Sequence, residues 1–260
     1  MQLSPDLYCG GKPVDDSGFK TLTDLGIRTV ISVDGARPDV EAAKKHGLRY
    51  IHIPIGYDGA TPEAEAAMGK ALRTATRPFY IHCHHGVHRG PVMGAIALML
   101  EKKAPPAVGE AVLKRAGTSK EYPGLWSTVA DFDPDTLKDY DPPLHEIAPV
   151  TSFVKEMSHI DAVWDELNQC QAAGWQAPKT HPDLVPEQTA LLLSEHFHEL
   201  ARNGAKDRDA QLKAWLHQAE ERVVALRQAL LAGDHAAADQ RLKSVKQSCS
   251  QCHATYRNRP

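Results

Sequence analysis

The chain has 260 residues, 42% of them hydrophobic and 24% charged, with a net charge of −3. These proportions suit a folded chain of one or two domains and exclude a disordered, collagenous or coiled-coil protein. No apolar run approaches the ~20 residues that a membrane-spanning helix needs, and no basic surplus points to nucleic acid. The 5 cysteines are an odd number, which one chain cannot pair completely, and there are 14 histidines, so their positions carry the information.

In the first half, short β-branched runs alternate with helical stretches. Residues 7–9, 28–33, 49–55 and 79–82 read as strands, and residues 16–25, 38–46 and 62–76 as helices. Gly26 and Gly47 stand where helices end. This order predicts a parallel-sheet α/β domain over residues 1–133. Residues 131–149 are acidic and carry Pro134, Pro142, Pro143 and Pro149, so 134–149 are expected to be a linker. From residue 150 to 260 no strand pattern remains. Val154, Met157, Ile160, Trp164 and Leu167 step by three and four, as do Leu212, Trp215, Ala219, Val223, Leu226 and Leu230. Ala238, Leu242, Val245, Cys249, Cys252 and Tyr256 repeat the pattern, and residues 187–202 supply another helix. Four amphipathic helices with short loops predict an all-α four-helix bundle.

The first constellation runs Ile81-His82-Cys83-His84-His85-Gly86-Val87-His88-Arg89-Gly90. A buried strand ends at His82 and a helix begins near Arg89, so residues 83–89 form the loop between them. Loops at the C-terminal ends of parallel strands are where α/β proteins place ligands. A helix N-terminus offers unpaired N–H groups and partial positive charge, which suits an oxyanion and favours a thiolate at Cys83. Arg89 can fork onto two phosphate oxygens, and Gly86 lets the backbone turn its amides inward. Three blander readings stand beside this one: an inert buried thiol, a metal site of clustered Cys and His, and a loop that binds an anion without turnover.

His-Cys-x5-Arg, here Cys83 through Arg89, resembles the signature of the cysteine-dependent protein tyrosine phosphatases. Residues 7–13 (LYCGGKP) and 22–33 (LTDLGIRTVISV) resemble the opening of their compact dual-specificity branch. The resemblance covers about residues 3–130. It implies that Cys83 attacks phosphorus, that Arg89 and the loop residues His84, His85, Gly86, Val87 and His88 hold the phosphate oxygens, and that an aspartate works as acid and then base. Asp58, after the strand at 49–55, is the choice for that aspartate; Asp34, after the strand ending at Val33, is the rival. Gly90 departs from the family, which has Ser or Thr there to assist thiolate departure.

The second constellation is Cys249-Ser250-Gln251-Cys252-His253. C-x-x-C-H reads as a site of covalent haem c attachment: two thiols three apart on a helix share a face, and the adjacent histidine ligates iron. A thioredoxin-like dithiol is the rival, but that motif belongs at the start of a helix in a βαβ unit. Residues 249–257 (CSQCHATYR) resemble the C-terminal motif of the class II cytochromes c, the cytochrome c′ and c-556 four-helix bundles, over about residues 150–260. This implies one covalent haem, with Cys249 and Cys252 as thioether anchors and His253 as axial ligand. The c-556 branch adds a methionine from the first helix, and Met157 matches it; a gap-filling core residue is the plainer reading. His159 is a weaker candidate for that position. Cys9 and Cys170 have no partner pattern and read as structural thiols.

Together the two resemblances imply a phosphatase fused to a cytochrome. The expected partners are a phosphorylated substrate, a redox partner protein and, as class II cytochromes often pair through their bundles, a second copy of the chain. The rival function is a redox-sensing, gas-sensing or electron-transfer cytochrome whose first domain only binds an oxyanion. Haem c attachment outside the bacterial cytoplasm implies a periplasmic protein. Residues 1–5 lack the basic and apolar regions of a secretory leader, so the leader is expected to be absent from this sequence.

Overall fold

A computed structural model describes residues 1–120, 122–205 and 208–257. It divides the chain into two compact units, Met1–Val150 and the residues from Thr151 on. Among the described residues, no helix is long and apolar enough to cross a membrane.

Unit 1 is a five-stranded sheet covered by helices. In chain order its elements are β1 (Gln2–Ser4), β2 (Leu7–Gly11), α1 (Asp16–Asp24), β3 (Thr29–Ser32), α2 (Val40–Lys45), β4 (Arg49–His52), α3 (Pro62–Thr74), β5 (Phe79–Cys83), α4 (Arg89–Lys102), α5 (Pro106–Ala116) and α6 (Pro123–Ala130). The sheet order is β1-β2-β5-β3-β4. Strands β2 to β5 pair in parallel as expected, whereas β1 adds an antiparallel edge. A three-residue strand is too short for its alternation to be visible in the sequence, so β1 went unpredicted.

β5 lies at the centre of the sheet, and Phe79, Ile81, His82 and Cys83 are all buried. α4 packs against β2 and β5 on one side and α3, α5 and α6 on others. Burial on every side explains its unbroken apolar run, with Val92, Met93, Ala95, Ile96 and Ala97 fully enclosed. The caps follow local chemistry: Asp15, Asp39 and Thr61 each accept a hydrogen bond from a first-turn N–H of α1, α2 and α3.

The segment expected to be a free linker instead lies along unit 1. Pro134–Asp139 forms a 3-10 helix. Asp141 pairs with Lys70 at 2.7 Å, and the His52 N–H donates to His145 O at 2.8 Å. Ala148 N–H donates to His52 Nδ1 at 3.1 Å, while His52 Nε2 lies 2.7 Å from Asp34 O. Burial lowers the His52 pKa, so the ring is uncharged and its Nε2–H donates to Asp34. His52, the last residue of β4, is thus the post to which the segment is tied. Composition suggested a spacer because the groups that tether it, His52 and Lys70 among them, lie far away in sequence.

Unit 2 is helical: α7 (Ser152–Ala172), α8 (Pro186–Glu199), α9 (Ala210–Leu231) and α10 (His235–Tyr256). Leu167, Leu193, Phe197, Leu212, Val223, Leu226 and Val245 form its core. α7 packs on α8, α8 on α9 and α9 on α10. Gln171 Nε2 and Trp175 Nε1 both donate to Asp239 Oδ1 at 3.1 Å, which ties the C-terminal end of α7 to the start of α10.

Candidate active site

The loop expected at residues 83–89 leaves β5 at Cys83 and enters α4 at Arg89. Gly10 and Gly11, at the end of β2, pair with His82 and Cys83. Gly86 has φ +75°, and a Cβ there would collide with the backbone of Gly10 and Gly11. Only glycine lets the loop turn this tightly over the strand end. Lys12 N–H donates to His84 O at 3.1 Å, and Thr118 Oγ1 donates to Val87 O at 2.8 Å. Two loop carbonyls are thereby engaged by neighbouring segments. His88, the residue before α4, contributes no side-chain cap to the helix N–H groups. Those N–H groups and the helix dipole supply positive potential at the loop.

Arg89 is 7% exposed, and its Nη2 lies 3.5 Å from Asp34 Oδ2. Its guanidinium carbon stacks 4.6 Å from the centre of the Tyr57 ring. Burial by itself would raise the Asp34 pKa; the charge of Arg89, the Ala36 N–H and nearby His84 and His82 outweigh it, so the carboxyl titrates below its usual range. Asp34 is thus an ionised, buried partner of the guanidinium, unlike Asp58, which stays exposed. Tyr57 also meets His88 at 5.9 Å and Tyr122 at 4.6 Å, and His88 meets Tyr122 at 5.0 Å. These three rings make an aromatic wall beside the loop.

Asp58, the preferred proton donor, is exposed on the loop after β4, next to Tyr57. The start of α6 presses on this loop: a Cβ on Gly124 would collide with Asp58 O, and Ala60 N–H donates to Thr128 Oγ1 at 3.0 Å. The Asp58 loop and the Cys83 loop are thus joined through Tyr57, which touches Arg89 and His88.

Two surroundings of Cys83 could not be read from the motif alone. His82 shares a 2.6 Å hydrogen bond with buried Tyr50, and burial pulls the His82 pKa down to about 4, so it stands uncharged in the strand beside Cys83. Gly90 lies directly behind the sulfur: a Cβ there would sit 3.5 Å from Cys83 Sγ and 3.1 Å from Cys83 N. A serine hydroxyl grown from Gly90 would reach the sulfur with only slight movement of the backbone. The Tyr57–Tyr122 pairing and the role of Tyr50 were missed, because aromatic residues far apart in sequence reveal their meeting only in the fold. The Gly10-Gly11 pair at a strand end was a usable signal for the close approach of the loop.

The second set of site residues lies in unit 2. Cys249 and Cys252 are three apart on the same side of α10; Cys252 joins the core, and Cys249, Met157, Phe153 and Tyr256 pack against it. The antiparallel order places the first turns of α7, with Phe153 and Met157, level with the last turns of α10. Burial pushes both thiols up to about 11, and they are unpaired with each other. Burial, helped by Arg257 and opposed by Asp161, pulls His253 down to about 4. An uncharged imidazole is what iron ligation requires, and two protonated thiols on one apolar face are what thioether formation requires. The donor set therefore fits a haem c. Cys9 and Cys170 are buried thiols, with the Cys9 pKa pushed up to about 11 by burial.

No family model and no curated protein matches the chain. Among solved structures, it is similar to TpbA of P. aeruginosa, at 20% identity and a TM-score of 0.46 over 53% of this chain and 86% of that one. A variant of TpbA in complex with phosphotyrosine gives the same figures. PTPMT1 in complex with PI(5)P follows at 17% identity and a TM-score of 0.45, covering 52% of this chain and 95% of that one.

Proposed function

We propose that unit 1 hydrolyses phosphomonoesters through a phosphocysteine at Cys83. The observation that carries this reading is the loop itself: a cysteine at the end of a central strand, a helix N-terminus facing the same space, and an arginine held in place by Asp34 and Tyr57. The Cys83 thiolate attacks phosphorus and the bond to the ester oxygen breaks. Asp58 gives that oxygen its proton. Arg89 and the loop N–H groups hold the other phosphate oxygens, where negative charge accumulates. Water then attacks the phosphocysteine, Asp58 takes a proton from it, and phosphate leaves with the thiolate restored.

Unit 2, in the same proposal, carries one haem c. Cys249 and Cys252 would hold it as thioethers, and His253 and Met157 would ligate its iron. When bound, the haem supplies one-electron redox chemistry; the chain supplies the apolar surface around Cys252 that excludes water from it. Because haem c is attached outside the bacterial cytoplasm, this reading places the protein in the periplasm.

Release of p-nitrophenol from its phosphate ester tests the first half, and a haemochrome spectrum of the denatured chain tests the second. Full activity in a Cys83→Ser variant sinks the phosphocysteine; a spectrum without covalent haem sinks the cytochrome. One observation favours a second reading, an oxyanion-binding loop that turns over poorly: Gly90 offers no hydroxyl to assist departure of the thiolate 3.5 Å from its Cβ position. If the second step is slow for this reason, Gly90→Ser raises kcat several-fold and shortens the lifetime of the phosphoenzyme. An unchanged kcat with no phosphoenzyme accumulating in the parent removes that reading.

A further inference from the structure

Unit 2 contains a second set of donor atoms that neither the Cys83 loop nor the Cys249–His253 segment uses. Glu156 and His159 are three residues apart on α7 and so share a face, and His196 of α8 lies against them. Glu156 Oε2 is 3.2 Å from His196 Nδ1 and 3.7 Å from His159 Nδ1. The two imidazole rings are 5.3 Å apart and tilted by 55°. One ligand atom from each residue lies within 4.8 Å of the other two.

These distances discriminate. At 3.7 Å the His159 ring is too far from the carboxylate for a hydrogen bond, yet its nitrogen shares the same oxygen with His196. A tetrahedral cation with bonds of ~2.1 Å holds its ligand atoms about 3.4 Å apart, which lies between the two measured edges. Small rotations of three side chains would close the set around one ion. The side chains of Glu156, His159 and His196 are 24%, 44% and 27% exposed, enough for an ion to enter and to keep a water as fourth ligand. Met157 packs toward the unit's core, so it does not compete for this face.

We propose that Glu156, His159 and His196 bind one borderline divalent cation, with Zn2+ the best match, and so clamp α7 to α8. Two imidazoles and one carboxylate suit zinc; calcium and magnesium prefer all-oxygen sets. The inference is independent of the haem and of the phosphatase reading.

The test uses the full chain with its haem, stripped with a chelator and dialysed against Zn2+. X-ray absorption at the zinc edge of the singly loaded protein is expected to show nitrogen and oxygen neighbours with imidazole scattering. Sulfur neighbours would place the ion at a cysteine and overturn the proposal. The His159→Ala/His196→Ala double variant is expected to lose at least tenfold in zinc affinity and to lose the rise in melting temperature that zinc gives the parent. Equal affinity and equal stoichiometry in parent and variant also overturn it. If the double variant fails to fold, Glu156→Gln takes its place, with the same loss of zinc affinity expected and unchanged affinity overturning the proposal.

Discussion

Cys83 and the Cys249–Cys252 pair place the same functional group in opposite fields. Cys83 is buried where β5 passes into the loop that enters α4 at Arg89, whose guanidinium Asp34 and Tyr57 hold in place. Cys249 and Cys252 are near the end of a helix, on an apolar flank, and burial raises both thiols to about 11. The first setting is the one that the proposed attack on a phosphate ester calls for. The second keeps both thiols protonated, which is what the proposed haem attachment would draw on. Burial alone therefore does not decide what a cysteine does; the direction of the nearby N–H groups and charges does.

The sharpest way to break this contrast is to exchange the losses. Cys83→Ser is expected to lower phosphatase kcat by about 10³-fold or more while leaving covalent haem intact. Cys249→Ala/Cys252→Ala is expected to abolish covalent haem, seen as loss of haem staining on a denaturing gel. Its phosphate ester turnover, assayed alongside, should retain Cys83 dependence. Arg89→Lys keeps the charge but loses the planar fork, so kcat/KM should fall about 10²–10³-fold. A fall below about tenfold would mean that the loop amides, not the arginine, hold the anion.

Asp58→Asn comes next, with a loss of about 10²-fold in kcat for esters of poor leaving groups and much less for p-nitrophenyl phosphate. Equal losses on both substrates would move the proton donor elsewhere. The smallest expected effect concerns pH. His82 titrates near 4 in the folded chain against 6.5 when unperturbed, so the unfolded state binds more protons between those values. Its contribution to stability is complete above about 6.5 and is lost as pH falls toward 4. The urea midpoint of the parent should drop over that window, and the drop should be shallower in His82→Gln.

Much of this was legible beforehand, for physical reasons that differ between the units. β5, the loop and α4 announce themselves because a buried strand, Cys-x5-Arg and an apolar helix are contiguous. The cysteines of α10 do so because 3.6-residue periodicity puts them on the apolar stripe. The partners of Arg89 are another matter: Asp34 is 55 residues away, and Tyr57 and Tyr122 meet from different loops. Nothing local distinguishes an aspartate that aims an arginine from one that donates a proton. Asp34 and Asp58 both follow strands, and only burial and the Arg89 contact separate them. The tether of residues 145–148 to His52 escaped for a similar reason, since its partners are over 90 residues apart in sequence.

The most direct measurement is acid quenching during turnover of a phosphate ester, followed by mass spectrometry of the peptide containing Cys83. A phosphate adduct on Cys83 that forms in the parent, persists longer in Asp58→Asn, and is absent from Cys83→Ser is the expected result. Turnover without an adduct on Cys83, at a rate unchanged in Cys83→Ser, would contradict it.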